Sequence, residues 1–189
     1  MAYRLSLQSA YEEMLIPYEQ YFQFALTLSL KLKATIRTHL RQDSINEPLY
    51  ERDEYLNDEK LNSTIRYFLA LMDQSIYGNQ CKHKNKRDWA QLISFFAREG
   101  GDGIKRLHLH AVIGNVPHHK LDTFEAIVRQ NWHRCDFGND EVHVEPISNA
   151  RGWVGYMTKT IKLKSYDALD VVSAKIPRFI EVSSVQKVV

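Results

Sequence analysis

Cysteine is almost missing from this chain: Cys81 and Cys135 are the only two in 189 residues, far apart and outside any close-spaced motif. That excludes a disulfide framework and fits a reducing compartment. Long hydrophobic runs are missing too, none approaching the roughly 20 residues needed to cross a bilayer. The stretch Met1 to Leu15 carries Arg4, Glu12 and Glu13 without an apolar core, so neither a signal peptide nor a membrane anchor is expected there. No Pro/Gly/Ser-rich linker and no internal repeat divides the chain, and its 44% hydrophobic content suits a single soluble domain over residues 1–189, inside the cell. A large excess of charge is lacking as well. Twenty-five basic against 23 acidic residues leave +2, too slight a total to argue for a polyanionic partner.

The distribution of charge says more than its sum. Acids crowd Asp43 to Glu59. Lys82, Lys84, Lys86 and Arg87 cluster, and Arg151, Lys159, Lys162 and Lys164 occur in a stretch without an acid. Polarised faces are expected. Cys81-Lys82-His83 and His133-Arg134-Cys135 are mirror-image pairs of zinc-type ligands, but one intervening residue is tighter than structural zinc sites use. Buried or half-buried cysteines with unrelated surface histidines are expected instead.

Phe24, Leu26, Leu28, Leu30 and Leu32 alternate with Ala25, Thr27, Ser29 and Lys31, predicting a half-buried strand over Phe22 to Leu32. Ser44 through Tyr55 reads as acidic and irregular. Leu61, Ile65, Phe68, Leu69 and Met72 recur at helical spacing, predicting an amphipathic helix from Asp58 to Tyr77, then a basic loop, Gln80 to Arg87. Ala90 to Arg98 and Arg106 to Gly114 flank Glu99-Gly-Gly-Asp-Gly103, the mark of a β-hairpin. Pro117 opens a helix reaching about Trp132, Val142 to Ile147 is a short strand, and Ser148 or Asn149 caps a helix over Arg151 to Lys162. The class is α+β, an antiparallel sheet with helices packed on it.

Chemistry concentrates in two places. His108 and His110 alternate within the apolar run Leu107 to Ile113, so both imidazoles project from one face of a strand. Unsatisfied polar groups in core-strand sequence are costly, and a shared metal ion explains both. The hairpin can return Glu99 to the same level as a third ligand. Two imidazoles and a carboxylate leave positions open for water and a phosphate oxygen, which points to Mg²⁺ or Mn²⁺, with Zn²⁺ also compatible with imidazole. Farther on, Tyr156 and Lys159 lie three apart, on one face of a helix. A phenol is a weak nucleophile at neutral pH, but a nearby cation favours the phenolate, and Lys159 can also neutralise charge on a pentavalent transition state. Gly152 and Gly155 leave room there for another backbone. Metal, tyrosine and lysine together suit phosphodiester cleavage through a covalent intermediate.

Phe24-Ala-Leu-Thr-Leu-Ser29, Arg106-Leu-His-Leu-His-Ala-Val-Ile113 and Tyr156-Met-Thr-Lys159 resemble, in order and spacing, the three motifs of HUH-superfamily rolling-circle replication initiators of the single-tyrosine type. Ala97-Arg98-Glu99 is similar to the segment carrying their metal-ligand glutamate, although the turn to the first histidine is slightly longer here. The resemblance covers about residues 22–164. It implies a five-stranded antiparallel RRM-like sheet with flanking helices. It also implies site-specific nicking of single-stranded DNA or an origin hairpin, leaving a 5′-phosphotyrosine and a free 3′-hydroxyl, followed by strand joining. No Gly-x-x-x-x-Gly-Lys phosphate loop occurs in this sequence, so the expectation is either a helicase partner acting in trans or an isolated nuclease domain, in the cytoplasm or in the nucleus for a eukaryotic virus. Lys82, Lys84, Lys86, Arg87, Arg151, Lys162 and Lys164 are the candidate DNA contacts, with Trp89 near enough to stack on a base; Trp153 is expected in the core and His118 and His119 on the surface.

Three rivals use the same residues differently. A single-tyrosine HUH transposase or relaxase performs the same chemistry on other DNA. A non-catalytic RRM-like binder keeps the sheet, but histidines stand where its aromatic pair belongs. A non-haem iron oxygenase uses two histidines and a carboxylate but leaves Tyr156 and Lys159 without a purpose.

Overall fold

In the computed structural model, which describes residues 7–38, 50–83, 85–86, 89–100, 106–158 and 169–177, the strand of alternating leucines forms the middle of the molecule. It runs Phe22–Leu30 (β1) and pairs antiparallel with two neighbours: His108–Gly114 (β5) on one side and Gly138–Pro146 (β6) on the other. β5 pairs in turn with Ile93–Glu99 (β4), the predicted hairpin, and β4 with Leu169–Lys175 (β7). The result is a five-stranded antiparallel sheet in the order β6-β1-β5-β4-β7, the α+β arrangement expected from the sequence. Lys33–Thr38 (β2) and Tyr50–Tyr55 (β3) form a separate two-stranded ribbon.

Because side chains alternate along a strand, each residue of β1 and β5 commits to one face. Phe24, Leu26, Leu28 and Leu30, with Leu109, Ala111 and Ile113, bury against Asp58–Tyr77 (α2) and Phe124–Trp132 (α3). α2 has the boundaries its pattern predicts. The Asn57 side chain accepts from the Lys60 amide at 2.9 Å, and the helix stops at Gly78, whose φ of 59° suits glycine. Its stripe Leu61, Ile65, Phe68, Leu69, Met72 and Ile76 is buried. Trp132 of α3 meets Phe68 edge-on and donates its indole N–H to the Ser29 carbonyl at 3.1 Å. Each such large apolar side chain contributes roughly 1.5–3 kcal/mol on burial.

The opposite face carries a smaller core. Phe22, Ile93, Phe95, Ala97 and Val112 pack against Leu15 of the N-terminal helix Leu7–Leu15 (α1) and against Val154 and Met157 of Ala150–Thr158 (α4). A 3₁₀ segment, Ile16–Tyr21, joins α1 to β1.

Several boundaries differ from expectation. The first strand ends at Leu30, and Leu32 is 63% exposed beside the start of the ribbon. The acidic stretch is not wholly irregular: Tyr50–Tyr55 is a strand whose acids face bases, Lys33 with Asp53, Arg37 with Glu51, and Lys60 with Glu54. Those cations hold the Asp53 and Glu54 carboxyls below their usual range. The helix after Pro117 begins as a 3₁₀ turn, His118–Lys120, and becomes α-helical only at Phe124; His118 and His119 are exposed, as expected. β6 starts earlier than expected, at Gly138, and α4 is described as far as Thr158, so the remainder of that predicted helix lies outside the described residues. No described helix is long and apolar enough to cross a membrane.

Candidate active site

Both histidines fall on the face that α4 covers. In register, Ala97 stands opposite His110 and Glu99 opposite His108, so the carboxylate and both imidazoles project from adjacent strands to one side. The Glu99 and His110 side chains meet diagonally, with Oε2 2.7 Å from Nε2. The second ring nitrogen of His110, Nδ1, lies 3.1 Å from the Thr27 hydroxyl on β1. His110 is 7% exposed and His108 half-buried. Among the described residues no group of three or more His, Cys, Asp or Glu side chains is placed to hold a metal ion together. What the chain presents is a tight pair, Glu99 and His110, with His108 in the next row.

The phenol reaches the same place from above. Tyr156 lies with its ring centroid 5.2 Å from that of His110, the planes at 88°. Trp153, one turn earlier and partly buried against the smaller core, sets its ring 5.3 Å away at 70°. Tyr156 stays 40% exposed, so its outer edge is open to a ligand. The helix beneath it is well anchored. Val154 and Met157 are buried, Asn149 caps the start by accepting from the Gly152 amide at 2.9 Å, and the Thr158 hydroxyl lies 3.1 Å from the Glu12 carboxylate of α1. The space expected at Gly152 is taken by that cap, since a Cβ there would stand 2.6 Å from the Asn149 amide nitrogen; at Gly155 a Cβ would meet no atom of the described residues within 4 Å.

The expected DNA contacts are less gathered. Lys82 and Lys86 are exposed, but Lys82 lines a cleft with Arg66, Asp73 and Lys175 on the α2 side of the sheet, apart from Tyr156. Arg151 is exposed at the start of α4, 3.8 Å from Glu19. Lys84, Arg87, Lys159, Lys162 and Lys164 lie outside the described residues. Trp89 is exposed and available to stack. The paired Cys/His segments make no common site: Cys81 and Cys135 line different clefts, and burial pushes the Cys135 thiol up to about 12, away from the thiolate zinc requires.

Two members of the row went unassigned in the sequence. Thr27 sits between His110 on β5 and His143 on β6, opposite both in register. The sign was there in the alternation of β1, where Thr27 and Ser29 are polar on the face that Leu26 and Leu28 leave. His143, exposed between Val142 and Val144, is the third imidazole on this face. Comparison with known protein families, curated proteins and solved structures gives no match.

Proposed function

We propose that this chain is a metal-dependent, site-specific single-stranded DNA endonuclease and strand transferase of the HUH type, with Tyr156 as nucleophile, initiating rolling-circle replication of a plasmid or small virus. The observation that carries the reading is the convergence of three elements: Glu99 of β4 bonded to His110 of β5, with the Tyr156 ring of α4 set edge-on against that imidazole. A structural role would satisfy one buried histidine; it would not require a partly exposed phenol ring packed against the same imidazole.

The donor set fits a hard divalent cation such as Mg²⁺ or Mn²⁺. Glu99 Oε2 and His110 Nε2 stand 2.7 Å apart on one side of the sheet, so both could turn toward a single ion. Glu99, His110 and, from the neighbouring row, His108 would hold it, and when bound it supplies charge neutralisation at a phosphate oxygen. The Tyr156 oxygen attacks phosphorus, forming the phosphotyrosine bond as the P–O3′ bond breaks, and the 3′-oxygen leaves as a hydroxyl after taking a proton. Reversal by a 3′-hydroxyl restores the phenol and joins strands without ATP, because the bond energy stays in the phosphotyrosine. Lys159, three residues after Tyr156 in the sequence, is assigned charge neutralisation at the transition state. One end of the sheet face that an RRM-like binder uses for bases, around Phe22, Phe95 and Val112, is covered by α1 and α4, which weighs against the non-catalytic rival. A transposase or relaxase role shares this chemistry and differs in the DNA supplied.

The test incubates the protein with a pool of randomised single-stranded oligonucleotides and Mn²⁺ and looks for a denaturation-resistant adduct. Tyr156→Phe should abolish the adduct while leaving DNA binding intact, and His108→Ala should remove metal-dependent cleavage. An adduct formed by Tyr156→Phe at the wild-type rate overturns the assignment.

A further inference from the structure

We infer that Thr27 is the positioning residue that lets His110 exchange tautomers as metal enters, an inference that rests on the metal-dependent reading above. The two contacts of the ring force the issue. With Nε2 2.7 Å from the Glu99 carboxylate, which can only accept, the neutral ring carries its proton on Nε2, and the lone pair of Nδ1 then accepts from the Thr27 hydroxyl at 3.1 Å. Were His110 to ligate a metal ion together with Glu99, Nε2 would supply its lone pair, and the ring proton would then sit on Nδ1 and need an acceptor there. A hydroxyl can be both. Its O–H rotates away and its oxygen accepts from Nδ1–H, while the proton count on the ring stays the same. A carbonyl or carboxylate at this position could serve only the metal-bound form, and an ammonium only the free one.

The plainer role for a threonine in a central strand is that a β-branched side chain suits the pleat. Valine would fill that role equally, so Thr27→Val separates the two. The ¹⁵N shifts of the His110 ring, recorded at mildly alkaline pH without metal and with Zn²⁺ as a diamagnetic probe, should show the proton on Nε2 in the first case and on Nδ1 in the second. Calorimetric titration with Zn²⁺ should show affinity reduced about tenfold in Thr27→Val and held near wild type in Thr27→Ser, with both variants melting close to wild type. Equal Zn²⁺ affinity in Thr27→Val, or a proton found on Nδ1 without metal, overturns the role of Thr27 alone. Failure of the wild-type protein to bind Zn²⁺, Mg²⁺ or Mn²⁺ at all overturns the metal reading and this inference with it.

Discussion

The two faces of the central sheet are built to different ends. Toward α2 and α3 the strands present an unbroken apolar surface, from Phe24 through Leu30 on β1 and Leu109 through Ile113 on β5, closed by Phe68, Met72 and Trp132. Toward α1 and α4 the apolar surface is complete only at one end, around Phe22, Phe95 and Val112, and gives way along the same strands to Thr27, His110 and Glu99. The first face stabilises the second. A polar cluster half-sunk in a sheet costs desolvation, and the geometry of His110 can be held only where a large core opposite makes the backbone rigid. Reactive groups thus take their precision from residues they never touch.

Adjacent residues of β5 give the sharpest way to break this division. Leu109 and His110 are one bond apart in the chain and face opposite layers. Leu109→Ala should cost about 2–5 kcal/mol of stability by opening a cavity, while cleavage per folded molecule stays near wild type. His110→Ala should do the reverse: metal-dependent cleavage is lost, whereas denaturant unfolding shows a smaller loss than Leu109→Ala. Parallel effects of both substitutions on stability and cleavage would mean the faces are not separable.

How far each region was legible follows from the same contrast. The larger core announces itself by period: β1 by alternation, and α2 by its apolar stripe between Asn57 and Gly78. The ribbon of β2 and β3 has a weaker signal, because only Ala34 and Ile36 reach the larger core and its pairing is written in cross-strand charges, Lys33 with Asp53 and Arg37 with Glu51, that only a known register reveals. α1 is a nine-residue helix, too short to persist without the α4 contact that includes Glu12 and Thr158. β7 exists by pairing with β4 and by the Lys175 ion pair with buried Asp73, both distant in sequence. At the site, the alternation of His108 and His110 and the hairpin return of Glu99 were readable locally. That Tyr156 lies over the imidazole face depended on the path of α4, which periodicity does not specify. Thr27 was invisible as a partner because its role is a hydrogen bond across strands 83 residues apart in the chain.

Alkali offers a milder way to separate the layers. Cys135 belongs to the larger core, and its burial raises the thiol from 9.0 to about 12. A group whose folded value is raised gives stability that is full below its unfolded value and is lost as pH climbs toward the folded one, because the unfolded chain ionises first. The melting temperature should therefore fall between about pH 9 and 12. Cys135→Ser should fall less steeply; some decline remains, since burial also raises the Tyr77 phenol on this side. Melting curves of the two proteins that decline in parallel would count against the thiol.

The smallest expected effect lies in α4, on the side of the reactive groups, and it has the opposite sign. Neither Gly152 nor Gly155 has a positive φ, so neither needs glycine for its backbone. A helical glycine costs roughly 0.5–1 kcal/mol relative to alanine. At Gly155 a Cβ meets no atom of the described residues within 4 Å, and Gly155→Ala should raise stability by about that amount. At Gly152 the Cβ would crowd the Asn149 side chain that caps the helix, so Gly152→Ala forfeits the capping bond and should melt below Gly155→Ala. If Gly155→Ala melts lower than wild type, the space beside Tyr156 is filled by part of the chain itself, and the room expected there for another backbone is closed.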